Sequence, residues 1–382
     1  MHVRGCYGMS IFEKRCVRAQ ALMAEAGIDY LFIGGGTDMK YMTDYSHGES
    51  ERLALFVLPL DGRGSFIGPR FEMPRFEHSG TKAFFDLLAW DEWEDPVDFV
   101  AEIVGPKAAT IAINDTHQAR FVTKYLERLP KAKVISAFPV LGEMRMRKDE
   151  AEIGYLVHLG KALDRVWEEA LGLQYSGRRE SEVGQDLLDI KRRVFPEAGS
   201  PRITLPRRSG RPMSGLNSAS AHGGGGERVI EKGDPFWWEM GGGNCMGYVG
   251  DKTRSAQVGP ATDEYRKMYE IVKECQQTAF EAVRPGVTCE SVDLAGRAVL
   301  DKYGVGEYLD HRIGHGLGMN GHEYPYIVRG NKRVLEPGMV FSVEPGLYIP
   351  GKWGIRIEDI VYVTEDGAES FFHSTKEFNE VP

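Results

Sequence analysis

His311-Arg312-Ile313-Gly314-His315-Gly316-Leu317-Gly318 sets two imidazoles and a guanidinium in a run otherwise made of glycine and aliphatic side chains. The runs Trp237-Trp238-Glu239-Met240, Gly250-Asp251-Lys252-Thr253-Arg254 and the pair Val343-Glu344-Pro345 with Ile357-Glu358-Asp359 repeat the theme of charge inside apolar or glycine-rich sequence. An unpaired charge in such a setting costs several kcal/mol, so something must compensate it. In a strand beginning at Met339, alternation sends Met339, Phe341 and Val343 to one face and Ser342 with Glu344 to the other. In the run from Gly354 to Val363, Arg356, Glu358 and Ile360 share a face, so Glu344 and Glu358 from adjacent antiparallel strands can converge on one point.

Three or four carboxylates with one imidazole suit a hard divalent cation, and the lack of a thiolate set argues against structural zinc. Two ions about 3.5–4 Å apart, bridged by carboxylates, would hold a hydroxide and polarise a scissile carbonyl, which is metal-assisted hydrolysis. Any one of these acids alone reads as a surface or salt-bridged carboxylate. It is their joint order and context that argues for a site.

Around these segments the chain reads as two domains. Its 382 residues exceed what one hydrophobic core usually organises, and 42% hydrophobic with 27% charged residues is a globular balance. Residues 11–26 place Phe12, Cys16, Ala19 and Met23 on one helical face that Gly27 ends. Strands are predicted at Ile28–Ile33, at Ala54–Leu58, from Ser65 and near Thr110–Ile113, an α/β pattern for a first domain over residues 1–145. A long helix carrying Ile153, Leu156, Gly160, Leu163, Trp167 and Ala170 follows. Further helices are expected after Thr262 and after Thr288, a plausible N-cap. Strands are expected at Pro235–Met240, Gly247–Val258, Met339–Glu344 and Gly354–Val363. Residues 146–382 are therefore expected to form an α+β domain.

Other readings are disfavoured. A formal net charge of -9 with basic residues only in short clusters such as Arg192-Arg193 repels phosphate backbones, so no nucleic acid is expected. No apolar run approaches the roughly 20 residues that span a bilayer, and Glu13, Lys14 and Arg15 interrupt the early sequence, so a cytoplasmic protein without membrane association is expected. Cys6, Cys16, Cys245, Cys275 and Cys289 are odd in number and form no C-x-x-C pair, which reads as reduced thiols. Gly314 to Gly318 lacks the third glycine of a dinucleotide fingerprint, and Gly223 to Gly226 lacks the Lys-Ser or Lys-Thr of a phosphate loop.

The stretch from His311 to Glu358, with His-Arg-Ile-Gly-His-Gly-Leu-Gly, Gly-His-Glu, Pro-Gly-Met-Val-Phe-Ser-Val-Glu-Pro-Gly and Gly-Ile-Arg-Ile-Glu-Asp, resembles the pita-bread metallopeptidases: prolidase, aminopeptidase P, methionine aminopeptidase and their relative creatinase. The resemblance runs over essentially the whole chain, and Xaa-Pro dipeptidases fit best. It implies a creatinase-type α/β N-terminal domain followed by a pita-bread catalytic domain. Asp251 and Glu358 would be bridging metal ligands, His315 the lone imidazole ligand, and Glu344 a ligand and proton shuttle. His322 would contact substrate or the tetrahedral intermediate, His222 would line the pocket, and Arg356 would brace the carboxylates. Two divalent ions are implied, manganese first, with cobalt, zinc or iron as alternatives. A short peptide or small amide substrate and a homodimer are implied as well.

The chain also departs from that pattern. The family's first ligand is an aspartate; Glu239 takes that place, twelve positions before Asp251 instead of the usual eleven. A longer side chain and a longer loop could still reach the same ion, or one metal site is lost or weakened. Trp237 and Trp238 replace smaller aliphatics, although core packing is the plainer reading of both. Two alternatives follow: a creatinase-like hydrolase of a non-peptide C–N bond, using His222 with a reduced or absent metal site, and a non-catalytic binding module on the same fold.

Overall fold

The computed structural model describes residues 10–48, 50–77, 85–197, 203–204, 210 and 212–382; Cys6 lies outside them. The chain divides into two compact units, Met1–Arg145 and Met146–Pro382.

In the first unit the order is α1 (Ile11–Ala26), β1 (Tyr30–Gly34), α2 (Thr37–Thr43), β2 (Leu55–Pro59), β3 (Gly64–Pro69), α3 (Met73–Glu77), β4 (Phe85–Trp90), α4 (Pro96–Val104), β5 (Ala109–Ile113), α5 (Ala119–Arg128), β6 (Ala132–Ser136) and α6 (Glu143–Met146). Helix α1 starts at a reciprocal capping box between Ser10 and Glu13 and stops at Gly27, whose φ of 66° is left-handed. The strands form one six-stranded mixed sheet, β4-β3-β2-β1-β5-β6. Phe32, Leu55, Val57, Ile67 and Ile111 from the sheet and Val97, Val100 and Tyr125 from the helices share one buried cluster.

The second unit runs α7 (Glu150–Ala170), α8 (Glu180–Glu197), β7 (Ile203–Thr204), β8 (Met213–Ser214), β9 (Pro235–Glu239), β10 (Asn244–Cys245), β11 (Tyr248–Val249), β12 (Thr253–Val258), α9 (Asp263–Glu281), α10 (Cys289–Lys302), β13 (Gly314–Gly316), β14 (Glu323–Ile327), β15 (Val340–Val343), β16 (Gly346–Ile349), β17 (Trp353–Arg356), β18 (Asp359–Val363), β19 (Ala368–Ser370) and β20 (Glu380–Val381). Asp149 with Glu152 caps α7, and the hydroxyls of Thr262 and Thr288 cap α9 and α10.

Two sheets organise this unit, β20-β12-β9-β8 and β14-β13-β15-β18-β19. Alternation along β15 and β18 separates two cores. Val340 and Ile360 pack with Leu156, Leu163 and Leu187 from α7 and α8. Phe341, Val343 and Val361 pack with Val272, Cys275 and Val292 from α9 and α10. Strands buried on both faces fit the near-continuous aliphatic sequence here. An isolated bridge between Thr253 and Glu358 joins the two sheets.

Two expected strands are interrupted. The run 247–258 breaks into β11 and β12 at Gly250-Asp251-Lys252, and the run 354–363 breaks into β17 and β18 at Ile357-Glu358. Arg356 therefore closes one hairpin, opposite Gly346, while Ile360 pairs with Ser342 in another sheet. Asp251 and Glu358 sit at these breaks, where a side chain is not obliged to follow the ladder's alternation. Trp237 and Trp238 are both buried, as core packing predicts. Among the described residues no disulfide joins Cys16, Cys245, Cys275 or Cys289, and no helix is long and apolar enough to cross a membrane.

Candidate metal centre

The Gly-His-Gly of β13 shows why the motif is built from glycine. A Cβ on Gly314 would lie 1.8 Å from the Ser342 carbonyl oxygen, and one on Gly316 would lie 2.2 Å from that of Tyr324. Only a strand bare at these positions fits between its neighbours β14 and β15, and this holds His315 in the interior at 2% exposure. Its backbone N–H donates to Ser342 Oγ (2.9 Å), which donates to Glu344 Oε1 (2.9 Å). The His315 ring lies at hydrogen-bond distance from the Gly316 carbonyl through Nδ1 (3.1 Å) and from Glu344 Oε1 through Nε2 (3.0 Å).

From the other sheet, β12 delivers Asp251 just before its first residue and Thr253 as that residue. Thr253 Oγ1 donates to Glu358 Oε2 at 2.6 Å. Arg254 secures this corner from behind, donating to the Glu358 carbonyl (2.7 Å) and pairing with buried Asp359 (2.7 Å). Lys252 points the opposite way from Asp251, to Asp164 of α7.

Asp251, His315 and Glu358 are all buried, and each offers a ligand atom within 4.8 Å of the others'. Asp251 Oδ1 and Glu358 Oε1 are buried with no hydrogen-bond partner. Burial, and then the charges of Glu358, Glu239 and Glu344, push the Asp251 carboxyl well up. Burial and then Glu344 push Glu358 up to about 8. Glu344 goes the other way: burial would raise it, but the hydrogen bond and charge of His315 hold it at about 2. Two orphaned buried carboxylate oxygens facing an imidazole fit a divalent cation, because a cation supplies the partner that the protein withholds.

The remaining expected residues lie around this triad. Glu344 adjoins it through His315. Glu239 ends β9, with its side chain 50% exposed and Oε2 2.5 Å from Arg356 Nη2; it is not one of the three converging residues. Arg356 is buried, donates also to Thr253 Oγ1 (3.1 Å), and lies over the Trp237 ring at 4.2 Å. His322 stacks on His315 with ring centroids 3.7 Å apart, and burial followed by the charge of His315 lowers its pKa. His222 is exposed on the cavity wall. An inner cavity of about 240 Å³ is lined by all eight expected residues together with Ala221, His311 and Arg312. It shares Ala221, His222, Glu239, Asp251 and His322 with a broader recess of about 1110 Å³.

Several participants carried no decisive signal in the sequence. The Tyr348 hydroxyl lies between His311 Nε2 (3.2 Å) and Arg356 Nη1 (3.2 Å). Arg312 lies over the Tyr326 ring and donates to His322 Nδ1 at 3.4 Å. Lys191 of α8 is fully buried and donates to the Gly241 carbonyl at 2.7 Å. Only spatial proximity identifies Tyr348 and Lys191, which stand in ordinary apolar and helical sequence.

Comparison with known proteins gives a consistent picture. Residues 15–147 match the Creatinase/Prolidase N-terminal domain, and residues 158–365 match metallopeptidase family M24. A probable dipeptidase PepE of Mycobacterium tuberculosis is 36% identical, with 98% of each chain covered. An Xaa-Pro dipeptidase of Lactobacillus helveticus is 30% identical over 96% of this chain and 98% of its own. The crystal structure of dipeptidase PepE from Mycobacterium ulcerans superposes with a TM-score of 0.90 at 34% identity, covering 99% of this chain and 100% of the other.

Proposed function

The chain belongs to metallopeptidase family M24, and from that premise we propose that it cleaves the imide bond of short Xaa-Pro peptides in a metal-dependent hydrolysis. The observation that carries the reading is the pair of buried, unpartnered oxygens on Asp251 and Glu358 facing His315. The Xaa-Pro preference draws on the relative of that name.

Asp251, His315, Glu344 and Glu358 are the residues that would hold the metal, and manganese suits their oxygen-rich set, with cobalt, zinc or iron as substitutes. A divalent ion there supplies Lewis acidity toward the scissile carbonyl and makes a nearby water more acidic. Glu344 Oε1 is engaged by Ser342 and His315, which leaves Oε2 to accept the proton of the attacking water and return it to the departing imide nitrogen. Because Arg312 donates to Nδ1 of His322, the ring proton sits on Nε2, from which it can donate to the developing oxyanion. Arg356 braces Glu239 directly and Glu358 through Thr253, and so keeps the carboxylates aligned as charge moves. His222 lines both the cavity and the recess, where the rest of the peptide would lie.

A homodimer and a cytoplasmic setting belong to the same proposal, and light scattering tests the first. The central test is turnover of a panel of Xaa-Pro and Xaa-Ala dipeptides by manganese-loaded protein. Xaa-Pro substrates should be preferred, and Asp251→Ala should lower kcat/KM by at least about 10³-fold, the scale of losing a principal catalytic group. Undiminished turnover in Asp251→Ala would refute the assignment. Turnover after exhaustive chelation, lost in His222→Ala, would instead favour the creatinase-like alternative.

A further inference from the structure

Resting on the peptidase reading above, we propose that Lys191 of α8 is a positioning residue for the peptide: it tethers the glycine loop 241–243, which walls the recess beside the metal centre, and so governs substrate affinity and not the chemical step. A lysine at this place opposes folding. It is fully buried, and among the described residues its Nζ has one hydrogen-bond acceptor, the Gly241 carbonyl at 2.7 Å, and no carboxylate partner. Burial pulls its pKa down to about 7, although the charges of Asp251 and Glu239 favour the ammonium. Either protonation state keeps an N–H for the carbonyl. A methionine would fill similar space without that desolvation, so packing alone does not call for a lysine.

The loop has little else to hold it. The β9–β12 ladder pairs Glu239 with Thr253, and the Met240 N–H donates to the Lys252 carbonyl at 2.7 Å. There the β9–β12 pairing stops, and β10 begins only at Asn244. The three residues between are all glycine, with φ 87° at Gly242 and 81° at Gly243, so this backbone has the widest conformational freedom. Among the described residues, the Lys191 bond is the only one to the backbone of Gly241 or Gly242. Helix α8 also seats the far end of the loop: a Cβ on Gly243 would lie 2.7 Å from the ring of Phe195, one turn beyond Lys191.

Tether and recess meet at this loop. Gly241 and Gly242 line the broad recess together with Ser181, Gln185 and Leu188 of α8, and Lys191 follows Leu188 by one helical turn. The metal-holding residues are fixed by other contacts: Thr253 and Arg254 hold Glu358, Ser342 holds His315, and Asp251 leads directly into the β12 ladder. Loosening 241–243 therefore reshapes the wall against which the peptide lies and leaves the cation site in place. Gly241 does lie against Asp251, a Cβ there falling 3.2 Å from Oδ1, so manganese affinity is the readout that separates a role toward the peptide from a role toward the ion.

The test compares full-length wild type, Lys191→Met and Gly242→Ala, the last disturbing the loop at its left-handed φ with Lys191 in place. It measures kcat and KM of the manganese-loaded proteins on an Xaa-Pro dipeptide, Mn2+ affinity by calorimetry, and hydrogen exchange over residues 240–246; thermal melts identify the folded variants. In each folded variant KM should rise at least about tenfold while kcat and Mn2+ affinity stay within about threefold of wild type. In Lys191→Met the 240–246 peptide should also exchange faster. Unchanged KM, or a loss confined to kcat or Mn2+ affinity, overturns the inference and leaves the metal-dependent reading standing; Gly242→Ala decides alone if Lys191→Met does not fold. If wild type turns over no Xaa-Pro peptide, the substrate reading fails, and unchanged exchange in Lys191→Met then overturns the tether as well.

Discussion

Glu358 keeps its two oxygens in unequal circumstances: Oε2 accepts from Thr253, while Oε1 is buried and unpartnered. Such a group opposes folding unless a cation answers it, so function and stability pull apart at this position. Glu358→Gln preserves volume and removes the charge. The metal-free variant should melt no lower than metal-free wild type, while the gain in melting temperature on adding Mn2+ disappears and hydrolysis falls by at least about 10³-fold. Parallel melts and kinetics check this, and a metal-free variant that melts well below wild type would contradict it.

The first unit holds a second residue-scale case. His117 faces the Tyr125 hydroxyl at 3.0 Å, stacks on that ring, and has its pKa lowered by burial to about 4. A histidine depressed in the fold keeps its contribution above the unfolded value of roughly 6.5 and loses it as pH falls through about 4. Acidification from pH 7 to pH 5 should therefore cost about 1–2 kcal/mol, discounted for partial exposure. His117→Gln should flatten that slope in urea unfolding; an unchanged slope would mean another group titrates.

Among the elements, β13 is the strictest. Gly314→Ala would drive a methyl group into the Ser342 carbonyl at 1.8 Å. The backbone must move, at a cost of about 3 kcal/mol, and His315 moves with it. Manganese affinity in calorimetry should fall at least tenfold even where the variant folds; unchanged affinity would show that β13 tolerates the shift. This stretch was legible because glycine, histidine and buried carboxylates are hard to explain otherwise. The α/β first unit, the helices starting after Thr262 and Thr288, and the adjacency of the strands next to Glu344 and Glu358 could also be read, since periodicity and caps are local signals. The interruptions at Asp251 and Glu358 could not, because the apolar alternation runs on through both breaks. Whether the extra residue after Glu239 falls in a strand or a loop was equally hidden, since spacing is the same either way; the Glu239–Thr253 register places it in the loop. Tyr348 and Lys191 enter only through tertiary contact.

At the scale of the whole chain, the residues proposed to bind the cation all come from the second unit, yet they are spread from Asp251 to Glu358 over two sheets. An ion at their meeting point would add to the ties the protein already makes there, the Thr253–Glu358 bridge and the Arg254–Asp359 ion pair. Binding to the folded state alone adds about 2.7 kcal/mol at a free concentration of 100 Kd. That gain should be local. In hydrogen exchange followed by mass spectrometry, Mn2+ should protect peptides covering β9, β12, β13, β15 and β18, while peptides from residues 10–145 exchange at unchanged rates. The first unit has its own sheet and its own buried cluster and contributes no residue to the triad. Equal protection in both units would mean that the ion's stabilisation spreads beyond the sheets that hold it, and protection in neither would mean that the two sheets are already fixed without it.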